Sequence, residues 1–172
     1  MRHLAPLLAL LLTLGACSTT PRDDTRQTTA SSDAPSSDAG SRRRADVVVA
    51  AMSALGTPYR YGGSSYQNGF DCSGFVQTMY QQTMDVSLPR RAADQAEATR
   101  RIGKQSLQPG DLVFFNTQRR PYSHVGIYIG DHRFIHSPKS GARVRIEDMR
   151  VRYWQQRFNG ARRVDAPTVA TR

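Results

Sequence analysis

Three residues of this chain have the types and order for nucleophilic acyl transfer: Cys72, His124 and His136. The chain has two cysteines. Cys17 ends an apolar leader, so Cys72 is left as a thiol with no disulfide partner. A thiol attacks as its thiolate, and at a pKa of about 8.5 little of it is ionised at neutral pH. Asp71-Cys72-Ser73-Gly74 reads as the start of a helix, where unpaired N–H groups favour negative charge. A neighbouring imidazole could also take the thiol proton. Of the four histidines, His3 belongs to the leader and His132 sits beside the turn Gly130-Asp131, a solvated place. His124 and His136 remain, both at strand ends. Their roles follow from reach: Cys72 as nucleophile, His124 as general base and then acid, and His136 to fix the ring and tautomer of His124.

The elements must deliver these groups to one place. Ala45 to Leu55 carries a helical stripe (Val47, Val48, Ala51, Met52, Leu55) that Gly56 and Pro58 stop. A second helix is expected from Asp71 or Cys72 to about Thr83, with Phe75, Val76, Met79 and Tyr80 inward. A short third helix is expected over Arg91 to Thr99. After it the pattern turns to strands: 112–115, 124–129, 133–136, 143–146 and 158–164. Helices first and short antiparallel strands second make an α+β order. The hairpin between the second and third strands sets a parity condition. His124 and His136 share a face only if the loop has odd length, such as Gly130-Asp131-His132, or a bulge intervenes.

The ends bound the setting. Met1-Arg2-His3, a largely apolar run of 11 residues from Leu4 to Leu14, and Leu14-Gly15-Ala16-Cys17 resemble the bacterial lipoprotein signal. The resemblance implies cleavage after residue 16 and lipidation of Cys17, with several acyl chains holding the protein to a membrane. Ser18 after the cysteine implies the outer membrane, with the domain facing the periplasm. Residues 17–45, rich in Ser, Thr, Asp and Ala, read as a disordered tether. Its 28 residues beyond the cysteine span roughly 30 Å as a coil and about 90 Å stretched.

Residues 46–172 then form one domain, expected to be monomeric. It carries 18 basic against 10 acidic side chains, a net charge of +8. Such a charge suits an anionic partner. The arginines are scattered without interleaved aromatics, which excludes nucleic acid in favour of cell-wall polymer or anionic head groups. No metal-ligand spacing is present, so no metal or cofactor is expected.

Several motifs in order resemble one family. Gly56-Thr57-Pro58-Tyr59-Arg60-Tyr61-Gly62-Gly63 and Phe70-Asp71-Cys72-Ser73-Gly74-Phe75-Val76 are similar to the nucleophile region of the NlpC-type cell-wall endopeptidases. Leu88-Pro89-Arg90, residues 109–115, residues 123–128, Phe134-Ile135-His136 and residues 153–164 continue the match. The resemblance implies a papain-like fold and hydrolysis of a peptidoglycan stem peptide, either between γ-D-glutamate and meso-diaminopimelate or at a cross-link. It implies Cys72, His124 and His136 as the catalytic triad. It implies Tyr59 beside the oxyanion and Asp71 and Ser73 against the substrate's free amine. Whether Tyr59 or Tyr61 faces the site stays open, and Asp71 reads equally well as a helix cap. Two rivals remain: an amidase or acyltransferase on the same scaffold, and a non-catalytic lipoprotein that binds cell wall.

Overall fold

The computed structural model describes residues 34–165. The signal segment, Cys17 and most of the expected tether lie outside the described residues. Helix α1 spans Ala34–Ser53, and a two-stranded ribbon pairs β1 (Ser64–Ser65) with β2 (Gly69–Phe70). Helices α2 (Cys72–Met84) and α3 (Ala92–Glu97) follow. Then come β3 (Arg100–Ile102), a 3₁₀ turn at Lys104–Ser106, β4 (Leu112–Phe115), β5 (His124–Gly130), β6 (Arg133–His136) and β7 (Arg145–Asp148). The short helix α4 (Arg152–Gln155) leads into β8 (Phe158–Arg163). The main sheet is antiparallel throughout, in the order β3-β8-β4-β5-β6-β7.

Alternation along the strands divides the core between the two sheet faces. Leu112, Phe114, Val125, Ile127 and Ile135 pack against Val47 and Ala51 of α1 and Phe75, Val76 and Met79 of α2. Val113, Phe115, Tyr128 and Phe134 pack against Met149 and Trp154 on the other face. Each large side chain fully buried here contributes roughly 1.5–3 kcal/mol. Tyr80, at the far end of α2, donates its hydroxyl hydrogen bond to the Gly110 carbonyl. That bond ties the helix to the turn that opens β4.

Helix α2 is the element that presents the cysteine. Asp71 caps it, with extended backbone and a side chain that accepts from the Gly74 N–H. Its inner stripe is the expected one, and it ends at Asp85, whose φ of 54° stops the helix.

Two expectations differ from the structure. The tether was expected to run to residue 45, yet α1 begins at Ala34. Pro35 lies in the first turn, where its missing N–H costs no helical bond. Arg44 docks the helix: its Nη2 donates to Gln108 Oε1 at 3.0 Å, and its backbone closes on Gly110. The third helix is shorter than Arg91 to Thr99, because the chain enters β3 at Arg100. Among the described residues that strand pairs only with β8, and its arginines are exposed at the sheet edge.

Candidate active site

Asp71 builds the floor of the site by what it holds. Its Oδ1 accepts from Gly74 N–H at 2.8 Å and from the Ser73 hydroxyl at 3.3 Å. Its Oδ2 accepts from Gly62 N–H at 3.0 Å, and Arg90 donates to both oxygens at 2.9 and 2.6 Å. Burial alone would raise the carboxyl's pKa, but bonds from Arg90, Gly74 and Gly62 outweigh it and hold the group below its ordinary value. Ser73 is buried, and its hydroxyl also accepts from Arg90 at 2.9 Å. Asp71 therefore holds Arg90, the helix start and the Gly62 loop together, and Ser73 links Asp71 to Arg90. Gln95, fully buried, donates to the carbonyls of Ser73 and Pro89 at 3.0 and 2.9 Å, which holds the Arg90 loop against α2. Gly74 has no room for a side chain: a Cβ there would collide with the Gly63 carbonyl oxygen.

Cys72, the first residue of α2, is partly buried and is a free cysteine. Its thiol is pushed up to about 11, by burial first and by the Asp71 charge second. The N–H groups of Val125, Ser73 and Cys72 itself pull the other way. The helix N-terminus was expected to favour the thiolate, but burial wins, and the resting group is a neutral thiol. The Val125 N–H at the sulfur brings the start of β5, and with it His124, beside α2.

The two histidines meet. His124 Nε2 and His136 Nδ1 lie 2.7 Å apart, with ring planes at 89°. The hairpin satisfies the parity condition by the bulge. Its loop is the two residues Asp131 and His132, both at positive φ (49° and 56°), and the register shifts between Tyr128 and Gly130. The shift restores Ile127 opposite Ile135, so His136 falls opposite Gly126. A Cβ on Gly126 would press on Phe134 and on the Ile135 carbonyl oxygen, at 2.6 and 2.8 Å. Glycine there lets β6 and its histidine lie close.

Trp154 from α4 supports both rings. It stacks on His124 at 5.8 Å and 24° and meets His136 edge-on at 5.1 Å. Its Nε1 donates to Glu147 Oε2 at 3.2 Å. Burial holds His124 down to about 4 and His136 well below its ordinary value, where His124 and Arg145 add to the effect. Both imidazoles are neutral at pH 7. His136 Nε2 is buried and has no hydrogen-bond partner among the described residues.

Tyr59 is half-buried at the cleft. Its hydroxyl pKa is raised by burial, then by the charges of Cys72 and Asp71, which marks it as their near neighbour. Tyr61 is 88% exposed at the rim. Two clefts flank the centre. One, about 540 Å³, is lined by Cys72 together with Tyr59, Asp71, Arg90, Tyr122 and Ser123, and not by His124. The other, about 470 Å³, is lined by His124 together with Lys139, Arg145, Glu147, Tyr153 and Trp154, and not by Cys72. Gln118, on the loop from β4 to β5, borders both. Sequence reasoning gave no role to Arg90, Gln95 or Trp154. Arg90 and Trp154 fall inside the motifs that resemble the family, and Trp154 is also the single tryptophan of the chain, but neither signal states a role. Gln95 carries no local mark, because its partner Ser73 lies far along the chain.

The profile of the NlpC/P60 family matches residues 56–163, more than half of the chain. The chain belongs to the NlpC/P60 family. Among its relatives is "Murein DD-endopeptidase MepH" of Escherichia coli, 43% identical over 119 residues, covering 67% of this chain and 44% of that one. "Gamma-DL-glutamyl hydrolase" of Bacillus subtilis is 41% identical over 124 residues, covering 72% and 30%. The chain thus spans less than half the length of these two relatives. "Probable endopeptidase NlpC" of Escherichia coli is 46% identical, covering 63% of this chain and 70% of that protein. Among solved structures, an NlpC/P60 family protein of Bacillus cereus superposes with a TM-score of 0.65 at 36% identity, covering 70% and 39%. The NlpC/p60 domain of the peptidoglycan hydrolase SagA gives 0.60 at 31%, covering 70% and 98%. The fold of this NlpC/P60 chain is the α+β, papain-like one that its sequence resembles.

Proposed function

We propose that this chain is a peptidoglycan endopeptidase that cuts a stem-peptide bond by thiol catalysis. The observation that carries the reading is the 2.7 Å bond between His124 and His136, set beside the thiol at the start of α2. The bond between γ-D-glutamate and meso-diaminopimelate and the cross-link bond both fit. A murein DD-endopeptidase and a gamma-DL-glutamyl hydrolase stand among the relatives by name.

His124 has one ring nitrogen engaged with His136, which leaves Nδ1 for the thiol. For Nδ1 to accept a proton, Nε2 must carry the hydrogen and donate it to His136 Nδ1. His136 then holds its own hydrogen on the unpartnered Nε2. The step starts from a neutral pair. The Cys72 proton passes to His124 Nδ1 as sulfur bonds to the carbonyl carbon. The carbonyl oxygen becomes an oxyanion, met by the Cys72 N–H and the Tyr59 hydroxyl. The C–N bond breaks, and His124 returns the proton to the leaving amine. A water then gives its proton to His124 and attacks the thioester, which releases the acid and restores the thiol.

Asp71 and Ser73, held by Arg90, line the acyl-side cleft and meet the substrate's free amine there. The domain works on the cell envelope, held by lipid on Cys17 at the outer membrane and facing the periplasm. Incorporation of a palmitate analogue that is lost in Cys17→Ser tests the anchor. Mass spectrometry of purified peptidoglycan digested by the protein, with Cys72→Ala alongside, tests the activity. New fragments from the wild type alone support it, and their masses name the bond. Intact peptidoglycan in both digests refutes it.

A further inference from the structure

The two clefts divide the substrate. A general acid must reach the nitrogen it protonates, so the leaving amine belongs in the cleft that His124 lines. The acyl part belongs in the cleft that Cys72 lines. The His124 cleft holds three charged side chains. Glu147 is already matched: its Oε1 takes Arg145 Nε and Nη2 at 2.7 Å, and its Oε2 takes the Trp154 indole. Lys139 is exposed, and its ammonium makes no hydrogen bond or ion pair among the described residues. Its positive charge is the surplus in the cleft, which lies open to solvent beside the apolar faces of Trp154 and Tyr153.

We propose that this cleft takes a leaving group bearing a free carboxylate, and that Lys139 is the residue that selects for it. The proposal rests on the endopeptidase reading and names the chemistry of one side of its substrate. The ammonium of Lys139 meets the carboxylate of the residue whose amine is released, while the Arg145 charge stays balanced by Glu147. A neutral carboxamide in the same place would leave the Lys139 charge unmatched.

Trp154 supplies the readout, because it is the sole tryptophan and lines this cleft. The probe is L-alanyl-γ-D-glutamyl-meso-diaminopimelate, with its diaminopimelate carboxylates free or amidated. Each is titrated against the indole fluorescence of the full chain carrying Cys72→Ala, so that binding is read without turnover. The free form binds about fivefold more tightly than the amidated one, as expected for one solvent-accessible ion pair. Adding Lys139→Gln brings the ratio to about one, and Lys139→Arg restores it. Equal affinities before Lys139 is changed overturn the proposal, as does a ratio that survives Lys139→Gln, or no binding of either peptide. Selective binding by a protein whose active form leaves peptidoglycan uncut supports the cleft's charge preference while removing the endopeptidase reading, so the two failures are distinct.

Discussion

Acidification should destabilise this protein over a window set by its paired histidines. His124 is buried at 5% exposure, and burial lowers its pKa from 6.5 to about 4. The unfolded chain therefore binds more protons than the folded one between those values, and stability rises with pH there. The contribution is complete above about pH 6.5 and is lost as pH falls toward 4. The whole shift corresponds to about 3 kcal/mol, of which about 2 kcal/mol falls between pH 7 and pH 5. His136 shifts in the same direction and adds to the loss. Asp71, Asp148 and Asp165 have lowered pKa values, so most of their contribution disappears at lower pH. Urea unfolding at pH 7 and pH 5 reads the difference. At about 2 kcal/mol per molar urea, the midpoint should drop by roughly 1 M or more. The double variant His124→Asn, His136→Asn should be less stable but nearly flat over the same interval. A wild-type midpoint that does not move, or a double variant with the wild-type slope, would refute the reasoning.

Three further outcomes follow from the same contacts. The pH profile of kcat/KM should keep its plateau well below pH 6, with the acid limb near pH 4, since the base must be neutral and burial holds His124 there; a limb near 6.5 contradicts this. Arg90→Met removes the bidentate partner of Asp71 and should cost about 1–2 kcal/mol in chemical unfolding, the side chain of Arg90 being partly exposed. Gly74→Ala should cost about 2 kcal/mol or more, because the Gly63 carbonyl must move, and a thermal melt at the wild-type temperature would count against that packing.

What the sequence makes readable follows the range of each interaction. The Asp71 cap and the apolar stripe of α2 are local, so the helix can be placed to within a residue or two at each end. The strands at 112–115, 124–130 and 133–136 show their alternation or apolar runs directly. The insertion of β8 between β3 and β4 is not readable, since strand order depends on pairings across some sixty residues, such as Arg100 with Arg163. The histidine pair was readable only as a condition. Sequence spacing demands an odd loop or a bulge, and the backbone of Tyr128 to Gly130 selects the bulge. The cysteine's environment was readable only in part. A helix N-terminus favours the thiolate, but how deeply the sulfur is buried depends on packing against β5, which no local motif states. Arg90 and Gln95 stayed without roles because their partners, Asp71 and Ser73, are about twenty residues away.

The most direct test of the mechanism is the intact mass of the protein, acid-quenched during turnover of peptidoglycan fragments. The account predicts an added mass equal to the acyl fragment, mapped to Cys72, in the wild type and absent from Cys72→Ala and His124→Ala. Turnover with no adduct on Cys72 under any quench time, or continued turnover by Cys72→Ala, would contradict it.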